Sequence, residues 1–234
     1  MNKKILLIDI LIVIVLFLLG FSVFLLVKNY YNNNKINNLL NNINYENYKE
    51  EISNLKKINK DIVGIVEIDN TEYRAFFVQG KDNKEYLRRN IYKQKDKNGT
   101  AFLDYRVDMD SKKIIIYGHN SRYVDMPFNF LDNYNEEDFY NNHKIINVIT
   151  ENNIAKFEVI SVFTETSDWS YQDIDFDDEK DFESNIKKLV EKSIYNSYYK
   201  NDNKQILVLQ TCSTRKEYKG YARKFLIIVA RRIV

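Results

Sequence analysis

Apolar and polar positions divide the chain into three kinds of stretch. Residues 5 to 27 (ILLIDILIVIVLFLLGFSVFLLV) are almost continuously apolar. A helix rising about 1.5 Å per residue over that length crosses a hydrocarbon core of roughly 30 Å, so one membrane span is expected there. From 29 to 60 the chain is polar and rich in Asn, yet Ile36, Leu39, Leu40 and Ile43 recur at helical spacing, as do Tyr48, Ile52 and Leu55. Two short helices are expected, with a loose stalk as the alternative because Asn has weak helix propensity. From 62 onward the pattern changes to short β-type runs: VGIVEI (63–68), YRAFFV (73–78), TAFLD (100–104), KIIIYGH (113–119), KIINVIT (144–150), IAKFEVISVFTE (154–165), QILVLQTC (205–212) and FLIIVARRIV (225–234). Eight strands point to a closed barrel or a sandwich. Two helical insertions are expected among them, at about 126–142 and at about 178–196, the second with Phe182, Ile186, Leu189, Val190 and Ile194 on one face and acids in its first turn.

The flanks of the apolar run bear on topology. Lys3 and Lys4 precede it and favour an inside N-terminus, while Lys28 and Lys35 follow closely and reduce the asymmetry. A cleaved signal peptide would have a shorter apolar region ending in small residues; this run ends Leu25, Leu26, Val27, Lys28, so an uncleaved anchor is the better reading. Asp9 lies near the inner end, where it can snorkel to the interface. The net charge is only +2, with acids and bases intermixed, which leaves no electrostatic footprint for nucleic acid. A single cysteine rules out an intrachain disulfide, and an unpaired thiol on the outer side of a membrane calls for either burial or a chemical task.

The candidate chemistry gathers at strand ends. Cys212 closes an apolar strand and leads into the polar turn STRKEYKG, which places its thiol at the mouth of a sheet. His119 occupies the matching position after the strand 114–116, in Tyr117-Gly118-His119-Asn120, where it is either a partner for the thiol or a structural turn residue. The other histidine, His143, lies in NNHK before a strand and reads as solvated. A thiol nucleophile needs a nearby imidazole to take its proton and later to protonate a leaving amine. Arg223, eleven residues after Cys212, opens the last strand. If a hairpin joins the two strands, its guanidinium can reach an oxyanion formed by thiolate attack, or it is an ordinary strand-edge Arg; Arg215, inside the turn, is its rival.

Four segments together resemble class B sortases: GTAFLDYRVDMDSKKIIIYGHN (99–120), MPFNFLDNY (126–134), LQTC (209–212) and ARKFLIIVAR (222–231). The resemblance covers roughly 60 to 234, and the helix-bearing insertion before the Cys strand is the class B feature. It departs from the pattern at Gln210, where class B members usually have Ser, and at Lys224, where an apolar residue is more usual. The resemblance implies a mainly β fold with helical insertions, an eight-stranded sortase-type β-barrel with N-terminal helices, and a Cys212, His119 and Arg223 site. The apolar run adds one N-terminal transmembrane helix, so the expected division is a short cytoplasmic N-terminus (1–4), a signal anchor (5–27), a polar linker with helices (28–60) and a catalytic domain (61–234) outside the cell. Cys212 would attack the Thr carbonyl in a C-terminal sorting-signal peptide of a secreted protein, and an amine of peptidoglycan or its precursor would resolve the thioacyl enzyme. Neither a metal cluster nor a phosphate loop is visible in the sequence, and that reaction needs no cofactor. A hydrolytic cell-wall cysteine peptidase and a non-catalytic anchored surface protein remain alternatives, although papain-like families place Cys before His, the reverse of the order here.

Overall fold

A computed structural model describes residues 3–124, 126–197, 199 and 202–234. The chain forms two compact units, residues up to Ile43 and Asn44–Val234. In the first, α1 (Lys3–Asn41) is one helix of 39 residues, and it includes a stretch long and apolar enough to cross a membrane. Residues 1 and 2 of the expected cytoplasmic stretch lie outside the described residues. Of the separate helix expected around Ile36–Ile43, the part up to Asn41 is instead the continuation of α1, and Ile43 lies past its end. Between Lys28 and Asn41 there is neither Gly nor Pro, and adding a residue to an existing helix costs far less than nucleating a new one, so the weak propensity of Asn does not end it.

The second unit opens with a 3-10 turn (Tyr45–Asn47), capped by the Asn44 side chain, and α2 (Tyr48–Ile58). Ile52 and Leu55 form the buried face of α2, and Lys56 pairs with Glu151. Eight strands follow: β1 (Ile62–Ile68), β2 (Arg74–Val78), β3 (Ala101–Leu103), β4 (Lys113–Tyr117), β5 (Ile145–Thr150), β6 (Ile154–Glu165), β7 (Ile206–Cys212) and β8 (Phe225–Arg232). They close a barrel in the order β1-β2-β3-β4-β7-β8-β6-β5, so the barrel alternative, not the sandwich, is the one the chain adopts. The pairs β2–β3 and β4–β7 are parallel.

Alternation along each strand divides inside from outside. Ile114 and Ile116 of β4, Leu207 and Leu209 of β7, and Leu226 and Ile228 of β8 fill the core with Val66, Phe77, Val148 and Phe157. The opposite faces of β4 and β7 are buried too, which explains their unbroken apolar sequence. The first insertion is mostly a 3-10 segment (Asn129–Asn135) followed by the six-residue α3 (Glu137–Asn142); the second is α4 (Glu179–Glu191), capped by Asp178. Helix α4 docks on β6, where the Ser161 hydroxyl donates to the Leu189 carbonyl at 2.7 Å.

Candidate active site

The parallel β4–β7 pair sets the site. Its register pairs Tyr117 with Gln210, and the two chains stay together beyond the strand ends. Gly118 N donates to Gln210 O at 3.0 Å, Thr211 Oγ1 to Gly118 O at 2.8 Å, and Asn120 Nδ2 to Cys212 O at 3.0 Å. Continued two residues further, that register sets His119 level with Cys212 on adjacent chains. Both residues line one cavity of about 530 Å³, together with Leu87, Arg106, Gln210 and Phe225.

Cys212 is exposed and unpaired. Withdrawal of water by the cavity walls pushes its thiol pKa up from the ordinary value, with the Lys224 charge opposing that shift. A thiol held in its neutral form needs a base beside it before it can attack. His119 is half-buried, and its Nε2 lies 3.0 Å from the Leu87 carbonyl oxygen. Gly118 is required just before it: a Cβ there would sit 2.4 Å from Cδ2 of Phe128, a fully buried ring.

Arg223 lies two residues ahead of β8, not at its opening as expected, and its side chain is exposed. The Cys212–Phe225 pairing and the 3.0 Å bond from Ser213 N to Lys224 O place Arg223 diagonally beyond Cys212 on the neighbouring chain. Among the described residues it forms no ion pair, whereas Arg215 is bound to Glu217 through Nε at 2.6 Å and lies over the Tyr218 ring at 5.9 Å. The rival is thus engaged within its own turn. His143 is not solvated as its sequence context suggests: it is half-buried, with its ring 4.5 Å from that of Phe139, and it is not among the cavity residues.

The cavity wall holds polar groups the sequence pattern does not reveal. Asp104 is fully buried; burial alone would raise its pKa, but hydrogen bonds from Arg106 and Tyr117 outweigh that and hold it at about 2. Arg106 spans both Asp104 oxygens at 2.9 and 2.7 Å and also donates to Gln172 O at 3.2 Å. Gln210 accepts from the Tyr171 hydroxyl at 2.8 Å. Only the segment Asp104-Tyr105-Arg106, with its charged pair just after a strand, offered a sequence signal for this wall.

Comparison with known proteins follows the same outline. A family model described as the sortase domain matches residues 66–233. The chain is 35% identical over 181 residues to sortase B of Listeria monocytogenes, covering 76% of this chain and 73% of that protein. Among solved structures it resembles Clostridium perfringens sortase B, with a TM-score of 0.69, 31% identity and coverage of 78% of this chain and 99% of that one. It also resembles a Staphylococcus aureus sortase B–substrate complex, with a TM-score of 0.70, 28% identity and coverage of 79% and 85%.

Proposed function

Because the chain belongs to the sortase family, class B, whose members are cysteine transpeptidases, we propose that it cleaves the C-terminal sorting signal of secreted proteins after a Thr and joins them to an amine of peptidoglycan or its precursor. The observation that carries this reading is the β4–β7 register, which sets His119 level with Cys212 at one cavity. His119 takes the Cys212 proton. The thiolate then attacks the Thr carbonyl carbon, the C–N bond breaks, and the leaving amine receives its proton from His119. In the second half an incoming amine gives up a proton to His119, attacks the thioester carbon and expels the Cys212 thiolate. Arg223, which is not among the residues lining the cavity but lies two positions past the Cys212–Phe225 pair and has no ion pair among the described residues, supplies a permanent positive charge to the oxyanion that forms in each half.

The apolar part of α1 anchors the enzyme in the cell membrane with Lys3 and Lys4 inside, and residues 61–234 act on the outer side. That placement would meet substrates as they are exported; what supports it is the stretch of α1 long and apolar enough to cross a membrane. A likeness to a sortase B–substrate complex supports peptide binding at the cavity.

The test is a screen of Thr-containing sorting peptides against the full chain, with and without an amine acceptor, read by mass spectrometry. An acyl adduct on Cys212 that is resolved faster by amine than by water is the expected result. Cys212→Ala should form no adduct while keeping the wild-type circular dichroism spectrum. Near wild-type turnover by folded Cys212→Ala would overturn the reading.

A further inference from the structure

On the reading that His119 is the acid–base residue, we propose that residues 82–100 form a clamp that holds its ring through the Leu87 carbonyl in the Nε2–H form, so that all proton exchange with Cys212 and with amines runs through Nδ1. Gly99 and Thr100 are the positioning residues of this clamp.

A carbonyl oxygen has lone pairs and no proton, so the 3.0 Å contact between Nε2 and Leu87 O requires the hydrogen on Nε2. The tautomer of a histidine is set by the bond its other nitrogen makes. Nδ1 is then the atom left with a lone pair. When it is protonated in turn, Nε2–H still donates to Leu87. The ring therefore keeps one orientation through both halves of the reaction and has no need to rotate between taking and giving a proton.

The surroundings of Leu87 fix that oxygen in place. The 3-10 turn Glu85–Arg88 that contains it is tied at its start to Asp82, whose Oδ1 accepts from Lys84 N and Glu85 N at 2.9 Å each. Buried Tyr86 anchors the turn from below: its hydroxyl donates to Asp61 at 2.7 Å and accepts from Asn59 at 2.8 Å. On either side of Leu87 the carbonyls are taken by residues 96–100. Tyr86 O accepts from Thr100 N at 3.1 Å and Arg88 O from Asp96 N at 2.9 Å, while Arg89 O accepts from Thr100 Oγ1 at 2.9 Å. Leu87 O alone in this run turns to the imidazole. Gly99 packs directly on the same peptide unit. Its φ is +64°, and a Cβ there would lie 2.7 Å from Tyr86 O and 2.8 Å from Leu87 O. Any side chain at 99 pushes on the oxygen that aims the ring.

The measurement is long-range ¹H–¹⁵N NMR of the labelled full chain in detergent micelles, with His143→Gln used to assign the two rings, alongside single-turnover acylation. In wild type the His119 ring should show a slowly exchanging Nε2–H and an unprotonated Nδ1. Thr100→Val keeps the volume and removes one strut; it should speed exchange of that proton and lower the acylation rate about tenfold with KM nearly unchanged, the signature of a misplaced ring rather than lost binding. Gly99→Ala should show the same signature at about a hundredfold. A wild-type ring protonated on Nδ1 would overturn the proposal, as would folded Thr100→Val and Gly99→Ala chains with wild-type exchange and acylation. If Gly99→Ala does not fold, the wild-type ring and Thr100→Val decide. Retained activity in His119→Ala would instead remove the acid–base reading, which the ring measurement does not depend on.

Discussion

Lys113 opens β4 with its amine sealed beneath the α4 insertion, only 2% exposed. Its Nζ donates to Asn185 at 2.8 Å and lies 3.5 Å from Ser170 O and 5.6 Å from the centre of the Phe176 ring. Desolvation holds its pKa down to about 7 against an ordinary 10.5, with Asp173 opposing and Arg106 reinforcing the shift. The unfolded chain keeps that proton up to the ordinary value, whereas the folded chain releases it near 7. Between the two the unfolded state binds more protons, so stability rises with pH, and below 7 the penalty for a buried charge is at its full size. The slope approaches 1.4 kcal/mol per pH unit, giving a gain of about 2 kcal/mol from pH 7 to pH 9. Burial acts the other way on Tyr117 and Tyr171, whose raised pKa values cost stability once the unfolded chain begins to ionise them, from about pH 9 upward. Urea unfolding of residues 44–234 at pH 6, 7, 8 and 9, compared with Lys113→Met, isolates the amine. Wild type should gain about 2 kcal/mol on the variant between pH 7 and 9. Parallel curves for the two proteins would refute the assignment.

Two further outcomes follow from the geometry around the cavity. Gly118→Ala forces a methyl into the buried Phe128 ring, an overpacking cost of about 1–3 kcal/mol that should lower the melting temperature by about 2–12 °C; an unchanged melt would contradict the tight contact. Arg223→Lys keeps the charge but loses the planar fork, so acylation should slow about a hundredfold to a thousandfold, while Arg215→Ala, its guanidinium already held by Glu217, should change it little; the reverse order would move the oxyanion role into the turn.

The strands were legible because their signal is local. Continuous apolar runs such as IIIY and ILVL, bounded by polar turns, mark β4 and β7, and the run 154–165 matches β6 residue for residue. Strand-end placement likewise singled out His119 and Cys212, the residues that the structure brings to one cavity. What sequence could not show is pairing. Nothing in 113–119 announces that its neighbour is 206–212 or that the pair is parallel. For the same reason the role of Leu87 was invisible, since it acts through a backbone oxygen common to every residue. Lys113 reads as a polar strand opener until α4 is seen to cover it. The merging of most of the expected helix at Ile36–Ile43 into α1 was missed for a different cause, a propensity scale applied where helix propagation decides.

The β4–β7 contact also has a kinetic meaning. Gly118 and Thr211, which bond across the pair, are 93 residues apart in sequence. Closing a loop of that length costs on the order of 4 kcal/mol of chain entropy before any contact repays it, and parallel pairings of high contact order form slowly. β7 must find β4 on one side and β8 on the other, so the imidazole and the thiol meet only when this non-local step is complete. Until that pair forms, Cys212 is without His119 at its side. With His119 as the base proposed for Cys212, barrel closure would delay nucleophilicity until the fold is complete.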